Sequence, residues 1–256
     1  TMSENLSEGS VNNNMLGSCN ALTTIIVPAG VQFVPENFAQ HGSVKEFVVE
    51  EGNSKYFSQD GVLYGYDEEG RQILISYPKA KEDTTYTVLE GTVEIGQDAF
   101  RSRESIEEII LPEGLEVIRQ DGFAYCKALK KMELPASVTT IEYDAFYGCS
   151  SLMEFTLSEN LTKETVNNSI LGDCGQLTTL YVPVAATYVP DSAYVASLRN
   201  IIVVDTEGNK NVVGTNYASL DGVLFNADGT VLLRMPRNKQ VGEYEIPETV
   251  THIEKS

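Results

Sequence analysis

The side chains best suited to chemistry in this 256-residue chain are four cysteines, two histidines and a surplus of carboxylates. Cysteine with histidine could hold zinc or form a nucleophilic pair, and two carboxylates could flank a glycosidic bond. Each option demands a spacing, and the sequence withholds it. There is no CxxC pair and no Cys/His cluster with zinc spacing. Cys126 and Cys149 instead fall three residues after Phe123 and Phe146, while Cys19 and Cys174 fall three residues before Leu22 and Leu177. All four take one position of a repeating pattern, the place of a small residue facing a core, which a free thiol fills well. Strands stacked at about 4.8 Å also leave a Cys126–Cys149 bridge within disulfide range. His41 stands where the pattern has cysteine and reads as packed or half-buried, and His252 lies near the end of the chain. The segments "YDEEG" and "FNADG" set oxygen atoms beside glycine but lack the twelve-residue calcium loop with its terminal glutamate. No glycine-rich phosphate loop occurs. The expectation is no catalytic residue, no cofactor and no metal.

A 23-residue repeat sets these positions. Phe100, Phe123 and Phe146 share that spacing, as do Ile95, Ile118 and Ile141, the series Ile106, Leu129, Leu152, and the series Leu111, Leu134, Leu157. A fixed period in the twenties marks a solenoid, whose coils bury their apolar faces only against neighbouring coils. In "LKKMELPASVTTIEYDAFYGCSS" the residues Leu129, Met132 and Leu134 follow L-x-x-L-x-L, a short strand ended by Pro135, which lacks an amide donor. Val138 to Ile141 is a second extended piece, and "DAFYGC" is expected to form a tight helical turn inserting Phe146. Nine strand starts follow from this template, at Leu22, Val44, Asp83, Ile106, Leu129, Leu152, Leu177, Leu198 and Val241. Nine strands at that spacing would form a parallel sheet roughly 40 Å long on one face.

Two intervals exceed one coil. They contain "SQDGVLYGYDEEGRQILISYP" and "SLDGVLFNADGTVLLRMP", read as β-hairpins inserted at about 57–78 and 219–236. Tyr64, Tyr66, Tyr77 and Tyr86 gather around the first, better suited to covering its joint than to stacking on sugars. Upstream, "NLSEGSVNNNMLGSCNALTTIIVP" matches "NLTKETVNNSILGDCGQLTTLYVP", so about 5–95 and 160–253 read as an internal duplication within one solenoid domain, 1–256.

Charge narrows the partners. Eighteen Lys and Arg against thirty-seven Asp and Glu give a formal −19, which repels nucleic-acid phosphates and anionic lipid. No apolar run is long enough to insert directly into a membrane. The coil pattern stops at "VTHIEKS", so the chain reads as a piece of a longer protein, and a monomer is expected.

Together the L-x-x-I-x-L-P strand, the following V-x-x-I, the A-F-x-x-C turn and the two S-x-D-G-V-L segments resemble the BspA-like leucine-rich-repeat family of bacterial surface proteins. That resemblance implies a right-handed solenoid, β-rich with short helical turns. It also implies an extracellular or cell-surface location, and binding or adhesion rather than catalysis. Arg103 and His41 depart from it at the cysteine position.

In an L-x-x-L-x-L strand the third and fifth residues point outward. The candidate partner-binding face is therefore Thr24 and Ile26, Glu46 and Val48, Glu108 and Ile110, Lys131 and Glu133, Glu154 and Thr156, Thr179 and Tyr181. Exposed apolar residues mixed with charge suit a protein or glycan ligand. The rival roles are a passive spacer for another domain and a glycan-binding accessory domain of a surface enzyme.

Overall fold

The computed structural model describes residues 1–3, 19, 21–35, 42–167, 169–191 and 195–254. His41, expected to be packed, lies outside them. Six parallel strands form the main sheet, in the order Asn200–Val204, Thr179–Pro183, Glu154–Thr156, Lys131–Glu133, Glu108–Ile110, Thr85–Thr87. Each begins two residues after its expected start, where the sequence alternates apolar and polar, and the buried members Tyr86, Ile109, Met132, Phe155, Leu180 and Ile201 face one core. A second sheet runs Thr140–Ile141, Val117–Ile118, Thr92–Ile95, Gln72–Ser76, Val62–Tyr66, Tyr56–Gln59. Between the sheets Phe100, Phe123 and Phe146 stack at 5.2 and 5.0 Å, close to the coil repeat, and all three are fully buried. Each such ring stabilises the fold by about 2–3 kcal/mol on burial.

The corners carrying these rings are turns, not the helical turns expected. Asp98, Asp121 and Asp144, each two residues before its Phe, adopt φ of 56°, 56° and 54°, and Ser102, Tyr125 and Gly148 are left-handed four residues later. A left-handed residue every four positions forbids a helix. The amides alternate instead. Those of Asp98, Phe100 and Ser102 donate to Gln120, Gly122 and Ala124 of the next coil, while those of Ala99, Arg101 and Arg103 close local turns onto Gly96, Asp98 and Phe100. The corner is thus a third ladder between coils.

Each expected hairpin gains a third strand. Tyr56–Gln59 pairs antiparallel with Val62–Tyr66, which pairs with Gln72–Ser76; likewise Tyr217–Leu220, Val223–Asn226 and Val231–Arg234. Asp60 and Gly61, and Asp221 and Gly222, all have positive φ, the two-residue reverse turn that Asp-Gly favours. These meanders are woven into the stack. Leu63 faces an amino-terminal core with Ile25, Val27 and Phe47, while Val62 and Tyr64 face the main core. In the second meander Leu224 joins the main core and Val223 and Phe225 join a small distal one.

The same turns interrupt the strand face. The Phe47 amide donates to Gly61 O at 2.8 Å and the Val49 amide to Ser58 Oγ at 3.1 Å; the Ile201 and Val203 amides meet Gly222 O at 2.9 Å and Ser219 Oγ at 2.7 Å. With those donors taken, Thr24–Val27 and Glu46–Val49 form a separate two-stranded sheet, and the single continuous sheet expected along this face does not form. For the same reason the strand expected after Val241 is missing. The place beside Asn200–Val204 is filled by the Gly222 turn, Tyr244–Ile246 carries no strand, and His252–Ile253 pairs with Val231–Leu232 instead.

Candidate binding groove

The outward positions of the main sheet stack into columns. One runs Thr85, Glu108, Lys131, Glu154, Thr179, Asn200, and the next Thr87, Ile110, Glu133, Thr156, Tyr181, Ile202. Over them lies an open groove of about 850 Å³. Of the twelve face residues, it gathers Glu108, Ile110, Lys131, Glu133, Glu154, Thr156 and Tyr181. Thr24, Ile26, Glu46 and Val48 stand on the separate amino-terminal sheet, beyond the first meander. Thr179 is outward by register but, between Glu154 and Asn200, only 9% exposed. The grouping of all twelve on one surface is corrected by the meander, which consumes the ladder donors that would have joined the two sheets.

Two groups of lining residues escaped the sequence reading. Glu113 and Glu159 lie three residues past the ends of their strands, at positions a repeat multiple apart, with Ala136 between them. The segment Asp205 to Lys210 closes one end. There Asp205 Oδ1 accepts the amides of Glu207 and Asn209 at 3.0 and 2.8 Å, and Asn209 Nδ2 donates to Oδ2 at 2.8 Å. The Asn209 side chain and these amides hold the Asp205 carboxyl below the usual carboxylate range. Lys210 then reaches back, its Nζ 5.1 Å from the Tyr181 ring centre and 3.2 Å from its hydroxyl. The Asp-x-x-Gly pattern of "DTEGNK" was the available signal for this wall.

The groove is strongly acidic. Its lining holds six carboxylates, Glu108, Glu113, Glu133, Glu154, Glu159 and Asp205, against the ammonium groups of Lys131 and Lys210. Lys131 pairs with Glu133 at 3.1 Å, a contact that lifts the lysine above its ordinary range. Among the described residues Glu108, Glu113, Glu154 and Glu159 have no ion pair.

Elsewhere the reactive side chains are consumed by structure. Cys126, Cys149 and Cys174 are buried free thiols that donate to the carbonyls of Phe100, Phe123 and Phe146 at 3.1, 3.2 and 3.3 Å. Cys19 is exposed, which corrects its placement in the core. Burial pushes the Cys126 and Cys174 thiols up to about 12. Arg103, at the cysteine position, is buried and donates to Tyr77 O at 2.7 Å; burial lowers its guanidinium to about 10. Tyr64 and Tyr86 join hydroxyls at 2.7 Å within the core, so they offer no sugar platform. In "YDEEG" the Asp67 carboxylate takes the amides of Glu69 and Arg71 and the Arg71 guanidinium, all within its own turn. His252 lies exposed on its short strand.

Residues 80–201 match the model of the BspA type leucine rich repeat region in six copies. No curated protein sequence matches the chain. Among solved structures it is similar to the pneumococcal vaccine antigen PcpA, with 26% identity and a TM-score of 0.63 over 91% of this chain and 51% of that one. A leucine rich cell surface protein of Faecalibacterium prausnitzii is 27% identical with a TM-score of 0.54, covering 72% of this chain and 48% of that one. A leucine-rich repeat protein of Eubacterium ventriosum shares the fold at 17% identity and a TM-score of 0.59, covering 90% of this chain and 57% of that one. The chain thus spans about half the length of these proteins. With their stacked coils and six matched copies, residues 80–201 are similar to a BspA-type leucine-rich-repeat region.

Proposed function

We propose that this chain is a non-enzymatic binding module, secreted or displayed at the cell surface, that engages a host or neighbouring macromolecule through its strand face. The observation that carries the reading is the groove itself. Its outward columns place Ile110, 47% exposed, and Tyr181 among six carboxylates, of which Glu108, Glu113, Glu154 and Glu159 make no ion pair among the described residues. The similarity to a vaccine antigen and to a cell surface protein supports display outside the cell.

The test is capture of partners from extracellular-matrix and surface-protein extracts by the parent chain and by Ile110→Glu/Tyr181→Glu, with circular dichroism confirming that both fold. Exposed anchors of this kind commonly dominate an interface, so the double variant is expected to lose the captured protein. Equal capture by both removes the strand face as the site, and no capture by either favours a passive spacer.

A further inference from the structure

We infer that the groove takes an extended cationic polypeptide segment, its Lys or Arg side chains meeting the unpaired carboxylates and its apolar side chains meeting Ile110 and Tyr181. The inference rests on the binding reading of the same groove and names its partner's chemistry. Charge complementarity is the first argument. On the second sheet every bridging arginine is neutralised across coils: Arg119 reaches Glu94 and Glu142, each at 2.8 Å, and Arg71 reaches Glu116 at 2.9 Å. The repeat can therefore place a cation opposite each acid at 23-residue spacing. In the groove the cation at that spacing, Lys131 between Glu108 and Glu154 in the ladder, closes its ion pair along its own strand with Glu133 and meets Glu154 only at longer range, and Lys210 is turned onto Tyr181. A bound cation would relieve repulsion that the folded chain leaves in place.

Shape and polarity select a polypeptide over other cations and over sugars. Ile110 and Tyr181 stand three strands apart, roughly 14 Å at strand spacing, with Glu133 and Thr156 between them in the same column. An acidic and a hydroxyl position between two apolar ones fits an extended segment that sets basic side chains between apolar ones on one of its faces. A polyamine has no apolar side chains for Ile110. Sugar binding is commonly built on several aromatic platforms, and Tyr181 is the one aromatic ring of the lining, with Lys210 over one of its faces.

The probe is a set of fluorescent ten-residue peptides in which Arg and Leu, Val or Tyr take turns at every second position with Ser between, so that both kinds share one face of the extended chain, titrated by anisotropy against the intact chain. Peptides with Gln or Glu in place of Arg, and spermine as competitor, complete the set. At least one basic peptide is expected to bind, the Gln and Glu versions not, and affinity should fall as salt is raised. Glu108→Gln/Glu113→Gln/Glu154→Gln should weaken binding about ten-fold. Glu51→Gln/Glu68→Gln/Glu248→Gln makes the same change in net charge outside the groove and should alter binding less than about two-fold. Equal losses in both variants would reduce the effect to bulk charge and overturn the assignment, as would tight binding of a Gln peptide. Spermine binding as tightly as the peptides would overturn the polypeptide choice. If no basic peptide binds while Ile110→Glu/Tyr181→Glu still abolishes partner capture, the charge assignment fails and the binding module survives.

Discussion

The two six-stranded sheets of this solenoid share one core and one repeat, yet they treat charge in opposite ways. The sheet through Thr92–Ile95, Val117–Ile118 and Thr140–Ile141 is laced by Arg119 to the coils before and after it. The strand-face sheet gathers six carboxylates into a groove with two ammonium groups, one paired within its own strand. Parallel pairing between successive coils runs through both. The difference therefore lies in side chains that the repeat leaves unconstrained, and it separates a face that holds coils together from a face left open to a partner.

The largest expected effect tests whether both faces depend on one core. Phe123→Ala removes the middle ring of the stack and should cost about 3–5 kcal/mol by urea unfolding, with both sheets lost in one transition. A loss below about 1 kcal/mol, or two separate transitions, would break the premise of the comparison. The thiols report on the same core. Cys19 should react with a thiol reagent in the native protein, whereas Cys126, Cys149 and Cys174 should react only on unfolding. Their pH dependence has a definite sign. The unfolded thiols lose protons above about pH 9, while folded Cys126 and Cys174 hold theirs to about 12, so stability should fall as pH rises through that window.

A smaller effect tests the meander as the device that ends the strand face. Gly222 has φ +72°, and a Cβ there would lie 2.6 Å from Asn200 Oδ1. Gly222→Ala should cost about 2 kcal/mol from left-handed strain and the displaced contact. Gly229 has the same φ with nothing closer than 3.7 Å, so Gly229→Ala should cost about 1 kcal/mol. Equal costs would mean that the turn does not press on the Asn200 strand.

The smallest effects sharpen the charge contrast itself. Arg119→Met should destabilise by about 1 kcal/mol, an effect reduced in 1 M salt because the bridge is partly exposed. Glu154→Gln, on the opposite face, should change stability by no more than a few tenths of a kcal/mol, because it breaks no close pair and gives up only a longer-range attraction to Lys131. A cost for Glu154→Gln as large as that for Arg119→Met would erase the distinction between the two faces.

The sequence by itself determined the architecture. Apolar positions at a 23-residue spacing located eight face strands to within two residues, because a coil can bury its apolar side only by placing the same residue types at the same point in every turn. It also marked most of the groove's outward residues, since alternation along a strand decides which side chains leave the core. Tertiary structure alone decided the rest. The left-handed backbone at Asp98, Asp121 and Asp144 is held by the amides of Phe100, Phe123 and Phe146 two residues on, which donate to a neighbouring coil, so corners that looked helical became a ladder. The Asp-Gly turns announced a reversal of the chain, but their capture of the Phe47 and Ile201 amides depends on which strand edge lies beside them in space. That contact separates Thr24 and Val48 from Ile110 and Tyr181. Likewise Lys210 follows Tyr181 by 29 residues, outside the repeat period, and folds over its ring only because the Asp205 turn sends the chain back across the sheet.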